Sequence, residues 1–368
     1  MKKIAVLGAT GSIGKSSLDI ISRNRENFNI TLLSAHHSRS ELEELSGQWP
    51  CAVRVLSGEA GGREKLLDAI REVRADLTIN GISGGAGLEP SIAAIESGCD
   101  LALANKETVV MAGKLVLHLA KEKNVKIIPV DSEHSAIFQL INAHGKENIS
   151  EIILTSSGGP FRKLSLKEME NVTPHDALAH PTWKMGPKIT IDSASMANKG
   201  LEVIEACALF NMPPEKINVV IHPQSAVHSM VRLCNGVIYA QLSKPDMRHP
   251  IHDALYWPQI APLDIEHLNF DSLTLEFEKP DLQKFPMLRL AREAASLGGI
   301  YPCAYNGANE EAVSAFLKQQ IGFLDISRVT GYVLEGDWTE NDNDIEAVLK
   351  ADADARFRAV SYIKKHIL

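Results

Sequence analysis

Long apolar runs are missing from this chain of 368 residues. Without about 18 apolar residues in succession, no membrane-spanning helix is expected. A basic excess is missing too. The formal net charge is -8, so neither nucleic acid nor an anionic membrane surface is expected as the main partner, although a local basic pocket is compatible with that balance. No cationic leader with an apolar core opens the chain: Lys2 and Lys3 run straight into a short strand, and secretion is not expected. The five cysteines (Cys51, Cys99, Cys207, Cys234 and Cys303) nowhere show C-x-x-C spacing, which suits a reducing cytoplasm. Internal repeats and low-complexity tracts are lacking as well.

What is present is a large apolar fraction, 45%, and a length that calls for two or three domains. Between Lys3 and Asp131 short β-rich runs alternate with helix-period segments, as a parallel sheet with crossover helices requires. The pattern predicts strands at Ile4–Leu7, Ile30–Ser34, Leu77–Asn80, Leu101–Ala104 and Lys126–Val130. Helices are expected near Ser16–Arg23, Glu64–Val73, Ser91–Glu96 and Val109–Lys123. Strands at Glu151–Thr155 and Asn218–Ile221 follow, then a hairpin of Ser229–Leu233 and Val237–Leu242 turned at Asn235-Gly236. Beyond Trp257 the chain becomes proline-rich and irregular. Helical periodicity returns at Leu288–Leu297, Asn309–Lys318, Ile326–Leu334 and Asp344–Ile367. The expected fold class is α/β, with a Rossmann-type N-terminal domain (1–131), an α+β catalytic and connective domain (132–257), a linker (258–286) and a small helical C-terminal domain (287–368).

Gly8-Ala-Thr-Gly-Ser-Ile-Gly14 follows the first apolar run and precedes a helical stretch, the arrangement of a dinucleotide-binding turn. Thr10, Gly11, Ser12 and Ile13 lie in its centre. Glycine turns of this kind also join strand to helix for steric reasons alone. The second strand runs into Ala35-His36-His37-Ser38-Arg39, with no acid to bind ribose hydroxyls, and its imidazoles, hydroxyl and guanidinium suit a 2′-phosphate, which favours NADP(H). A solvated basic turn has the same composition. A second glycine turn, Asn80 to Gly87, either approaches the nicotinamide side or serves packing.

Carboxylates form the next group. Asp131 and Glu133, two apart on an extended backbone, are expected to point to the same side. Glu202 and Glu205, three apart, are neighbours on a helix face. Oxygen ligands of this kind suit Mg²⁺ or Mn²⁺ rather than zinc, although acidic pairs are also common on surfaces that bind no metal. Ser156-Ser157-Gly-Gly-Pro160, and Ser193 and Ser195 with Asn198 and Lys199, are suited to holding a phosphate, though ordinary turns and helix caps look alike. Lys106 ends a strand of the first domain and is expected to face its cleft, or else to be a solvated lysine at a helix start. His180-Pro-Thr-Trp183-Lys-Met185-Gly186 has the make-up of a closing lid or of a packed loop.

Taken in order, these segments, together with Ile221-His-Pro-Gln-Ser225, Pro245-Asp-Met-Arg248, Asn306-Gly-Ala-Asn-Glu310 and Ile321-Gly-Phe-Leu-Asp-Ile326, resemble the 1-deoxy-D-xylulose 5-phosphate reductoisomerase family over nearly the whole chain. The resemblance implies an NADPH- and divalent-metal-dependent oxidoreductase of non-mevalonate isoprenoid biosynthesis, acting on a phosphosugar and making 2-C-methyl-D-erythritol 4-phosphate. It implies metal ligation by Asp131, Glu133 and Glu202, and catalytic roles for Lys106 and Glu133. Substrate contacts are implied for Ser132, Ser157, His180, Ser193, Asn198 and Lys199, lid roles for Trp183 and Met185, and cofactor contacts for Thr10 to Ile13, His36 to Ser38, Asn105, Glu107 and Gly186. A cytoplasmic homodimer is implied as well.

This chain departs from the family where a Gly-Lys-Asn sequence is common after the second strand: His36-His37-Ser38 loses the lysine, and Arg39 is the residue available to substitute. Two other readings use some of the same features. An ordinary NADP dehydrogenase of a phosphorylated hydroxy compound needs no three-carboxylate metal site. A nucleotide-sensing scaffold binds cofactor without turnover.

Overall fold

The last four residues of Lys2–Leu7 are fully enclosed, the mark of a central strand covered on both faces. In the computed structural model, which describes residues 1–179, 183 and 185–368, this is β1. The chain continues with α1 (Ser12–Arg23), β2 (Phe28–Ala35), α2 (Arg39–Gly47), β3 (Val53–Leu56), α3 (Gly62–Val73), β4 (Leu77–Asn80), α4 (Leu88–Glu96), β5 (Asp100–Leu103), α5 (Lys106–Glu122) and β6 (Ile127–Pro129). Next come α6 (Ser132–His144), β7 (Ile149–Ser156), α7 (Leu166–Met169), α8 (Pro174–Leu178), α9 (Pro187–Ser195), α10 (Ala197–Leu209), β8 (Ile217–Ile221), β9 (Val227–Leu233), β10 (Ile238–Leu242) and α11 (Arg248–Tyr256). The final helices are α12 (Pro286–Leu297), α13 (Tyr301–Leu317), α14 (Asp325–Leu334) and α15 (Ile345–His366).

The first six strands form one parallel sheet in the order β3-β2-β1-β4-β5-β6. That is the doubly wound nucleotide-binding order, whose ligand edge lies at the strands' carboxyl ends where the order reverses. The second sheet is mixed, in the order β10-β9-β7-β8. Here β7 and β8 are parallel and β9 runs antiparallel to both β7 and β10. The expected hairpin is thus present, as are the expected strands of the first sheet.

The chain divides into two units, each assembled from separated stretches: residues 1–108, 116–135 and 246–265, and residues 109–115, 136–245 and 266–368. In the first, the late-arriving α11 is tied to the earliest elements. Lys2 Nζ donates to the Leu255 carbonyl at 3.1 Å, Tyr256 stacks edge-on against Phe28 at 5.0 Å, and Arg248 reaches Asp19 at 3.8 Å. The second unit contains the mixed sheet and the C-terminal helices, with α13 packed against α12, α14 and α15 and its Tyr305 and Phe316 fully buried. Among the described residues, no helix is long and apolar enough to cross a membrane.

Candidate active site

The glycine turn after β1 is dictated by backbone contact. Gly8 has φ +77°, and a Cβ there would lie 2.9 Å from the Gly81 carbonyl oxygen; at Gly14 it would lie 2.4 Å from the Gly8 carbonyl oxygen. Helix α1 then starts at Ser12 with glycine as its N-cap, no side-chain cap and no acidic residue in its first turn. Its leading amides therefore remain directed outward beside Thr10, Gly11, Ser12 and Ile13, a cradle that fits a pyrophosphate.

At the end of β2, His36 Nδ1 is 3.1 Å from the Ser57 hydroxyl and the His36 and His37 rings lie 3.9 Å apart. Both histidines and Ser38 are exposed. Arg39 is held by the Glu59 carboxylate and lies 3.8 Å from Glu43. Its charge is thus directed at acids of its own surface, while the imidazoles and Ser38 head the strand.

The second glycine turn is clamped by two buried asparagines. Asn80 donates to the Gly87 carbonyl at 2.9 Å, and Asn105 donates to the carbonyls of Ile82 and Gly84 at 2.7 and 2.8 Å. The Asn105 carbonyl oxygen also caps α5 by accepting from Thr108 N at 2.9 Å, and its amide is 3.1 Å from Glu107. The side chain thereby shapes this turn and caps α5.

Lys106 opens α5 directly beyond β5, and Asp131 follows the neighbouring strand β6. Parallel pairing brings the two together, with Lys106 Nζ 2.5 Å from Asp131 Oδ2 and both side chains largely buried. His134, fully buried, places Nδ1 3.8 Å from the same oxygen. Burial opposes ionisation of Asp131, but the Lys106 ammonium and the His134 ring overcome it and hold the carboxyl far below the usual range.

One sequence expectation is corrected here. Asp131 and Glu133 are not on an extended strand: α6 begins at Ser132, and the Asp131 carbonyl accepts from Ser135 N at 2.8 Å. The reason is electrostatic and steric together, because Asp, Ser and Glu in succession favour a helix start, where acids meet the positive end of the dipole. Ser132 instead donates to the Glu133 carboxylate at 2.6 Å. His134, three residues from Asp131, is the contact that a helical reading of this segment would have exposed.

In the second unit, β7 runs into Ser156-Ser157-Gly158-Gly159, where both glycines have positive φ. A Cβ on Gly159 would lie 2.7 Å from the Ser193 carbonyl oxygen, so this turn is pressed onto the last turn of α9. Met196, at φ +60°, makes the corner into α10. There Asn198 Nδ2 donates to Glu202 Oε1 at 2.6 Å, and Lys199 pairs with Glu202 Oε2. Lys199, Glu202 and Glu205 are all buried. Ser157, Ser193, Asn198 and Lys199 thereby come from one turn and one helix corner.

Trp183 lies 6.3 Å, ring to ring, from His228, whose Nε2 is 2.8 Å from the Ser243 hydroxyl. His228 carries no sequence signal, since a lone histidine within a strand has no spacing pattern. Met185 is half-buried and Gly186 is the exposed residue before α9. His180 lies outside the described residues.

Sequence-family profiles match most of the chain. One described as 1-deoxy-D-xylulose 5-phosphate reductoisomerase matches residues 4–60 and 51–113, its C-terminal domain matches 127–210, and a DXP reductoisomerase C-terminal domain matches 242–358. The 1-deoxy-D-xylulose 5-phosphate reductoisomerase of Treponema denticola is 49% identical over 368 residues, covering 98% of this chain and 96% of the relative. That of Chlorobium chlorochromatii is 46% identical over 384 residues, covering 99% and 100%. Among solved structures, the Zymomonas mobilis reductoisomerase in complex with NADPH superposes with a TM-score of 0.91 at 41% identity, covering 99% of each chain. A DOX-P reductoisomerase in complex with NADPH, fosmidomycin and magnesium superposes with a TM-score of 0.88 at 36% identity, covering 99% of this chain and 98% of that one.

Proposed function

The chain belongs to the 1-deoxy-D-xylulose 5-phosphate reductoisomerase family, and from that premise we propose how its own side chains divide the reaction. It is an oxidoreductase that converts 1-deoxy-D-xylulose 5-phosphate into 2-C-methyl-D-erythritol 4-phosphate with NADPH and magnesium. When bound, magnesium polarises the substrate oxygens as a Lewis acid and NADPH supplies the hydride for the final reduction.

Asp131, Glu133 and Glu202 are the metal ligands in this reading. Their donor set, all carboxylate oxygen, fits a hard cation. Lys106 offsets the negative charge that develops on the substrate oxygens when the C3–C4 bond breaks, and in a dry pocket that charge is worth far more than in water. Glu133 moves the C4 hydroxyl proton, with Ser132 donating to its carboxylate and fixing its orientation. Ser157, Ser193, Asn198 and Lys199 hold the phosphate, His180 contacts the substrate, and Trp183 and Met185 exclude water from it. NADPH is bound by Thr10 to Ile13, by His36, His37 and Ser38 at its 2′-phosphate, and by Asn105, Glu107 and Gly186.

The observation that carries these roles is α10. Asn198, Lys199 and Glu202 lie within five residues on one helix, which spaces the Asn198 phosphate holder and the Glu202 metal ligand by about 6 Å along its axis. The domain division 1–131, 132–257, 258–286 and 287–368 is retained as the functional one. We also assign a cytoplasmic homodimer, supported by the outer strand β10 with its exposed Ile238 and Tyr239.

The test is NADPH oxidation with 1-deoxy-D-xylulose 5-phosphate and identification of the product. Turnover is expected to require Mg²⁺, to stop in EDTA, and to yield the branched polyol. Reduction without skeletal rearrangement, or full turnover in EDTA, would overturn the reading.

A further inference from the structure

The segment Asn306-Gly-Ala-Asn-Glu310 has no part in the roles assigned above, yet it lies in the middle of α13 and is buried at Asn306 and Asn309. Asn309 Nδ2 donates to Asp192 Oδ1 at 2.8 Å, and Lys188 Nζ lies 2.9 Å from Asp192 Oδ2. Asp192 is itself buried, on α9, one residue before Ser193. The side of α13 that carries Asn306 and Glu310 is fixed in turn. Asn306 donates to Glu310 at 3.0 Å, Glu310 pairs with Arg356 of α15 at 2.7 Å, and Arg356 also engages Asp352 at 2.7 Å and Glu311 at 3.1 Å.

From this clasp we infer that Asn309 is a positioning residue for phosphate binding: it sets the rotation and depth of α9, and so the place of Ser193 relative to the Ser157 turn. The inference rests on the reading of Ser193 and Ser157 as phosphate holders. Helix α9 is short, and its last turn is pressed against Gly159, so any displacement is felt directly between the two serines. Apolar packing restrains a helix against lifting but weakly against turning on its axis. A hydrogen bond between a buried amide and a buried carboxylate is directional, and its loss removes that constraint on the helix.

The experiment compares Asn309→Ala, Asn309→Ser and Ser193→Ala in the full-length enzyme. Each is measured for KM and kcat with 1-deoxy-D-xylulose 5-phosphate, for competitive inhibition by inorganic phosphate, for NADPH dissociation by fluorescence, and for melting temperature. Asn309→Ala is expected to raise KM and the phosphate inhibition constant together by about tenfold, with kcat held within about threefold and NADPH affinity unchanged. Asn309→Ser, which keeps a shorter donor, is expected to fall between Asn309→Ala and wild type, and serves if the alanine variant does not fold. Unchanged KM and phosphate inhibition in both variants would overturn the inference. So would a uniform loss of kcat, substrate affinity and NADPH affinity alongside a lowered melting temperature, the mark of a merely structural residue. Ser193→Ala separates the two levels: if it leaves phosphate inhibition untouched, the phosphate reading itself fails, whereas a rise there with none in the Asn309 variants sinks only the positioning role.

Discussion

Each unit encloses a lysine–carboxylate pair to which a catalytic or binding role is proposed, Lys106–Asp131 in the first and Lys199–Glu202 in the second, and the two are built in different ways. Lys199 and Glu202 are neighbours on a single helix, three residues apart, with Asn198 holding the other carboxylate oxygen. Lys106 and Asp131 come from different crossover segments, joined because β5 and β6 pair in parallel, and His134 stands behind them. The first pair is set by helical periodicity and can be read locally. The second exists only once the strand order is established. Burying such pairs costs desolvation on both sides, so their retention makes sense where the lysine or the carboxylate has a further partner to receive.

Four measurements sharpen or break that comparison. Glu202→Gln removes a proposed metal ligand and is expected to lower kcat/KM by roughly a thousandfold at saturating magnesium; a loss under about tenfold would detach the α10 pair from metal binding. Lys106→Ala is expected to lower kcat by about a hundredfold while NADPH affinity stays within about twofold. If both fall together, the β5–β6 pair supports the fold more than the chemistry. Lys199→Met is expected to raise KM by about tenfold or somewhat more, with a smaller change in kcat, as loss of a charged hydrogen bond to a phosphate predicts.

The smallest effect comes from a carboxyl whose environment is the reverse of Asp131's. Burial pushes Asp253 of α11 up to about 6, so the neutral acid is the form the fold favours. With the unfolded value near 3.9, its penalty is absent below that pH, grows as pH rises towards 6, and is complete above it, at most about 3 kcal/mol. Asp253→Asn is therefore expected to raise the melting temperature by a few degrees at pH 8 and to leave it unchanged near pH 4, as followed by thermal unfolding. A stabilisation independent of pH would remove the contrast.

Elements with strong period were legible in the chain alone. Leu77–Asn80 was found at its observed bounds and the Asn235-Gly236 hairpin in its observed pairing. Helix α11 went unread because His249-Pro-Ile-His252 has the look of a loop, although proline is tolerated in a first helical turn. The extended expectation fails at Asp131–Glu133 because two-residue and helical spacing cannot be told apart over so short a stretch. Lys106 with Asp131, and Asp192 with Asn309, escaped because their partners are distant in sequence and meet through tertiary structure.

The three-part assembly of the first unit bears on how the protein is made. Its parallel sheet is complete at β6, but α11, whose Lys2, Asp19 and Phe28 contacts tie it to the sheet's beginning, follows the whole of residues 136–245. At ribosomal elongation rates that interval is on the order of ten seconds. Throughout it the nascent nucleotide domain waits with the face destined for Tyr256 and Leu255 uncovered, a window in which a chaperone has something to hold.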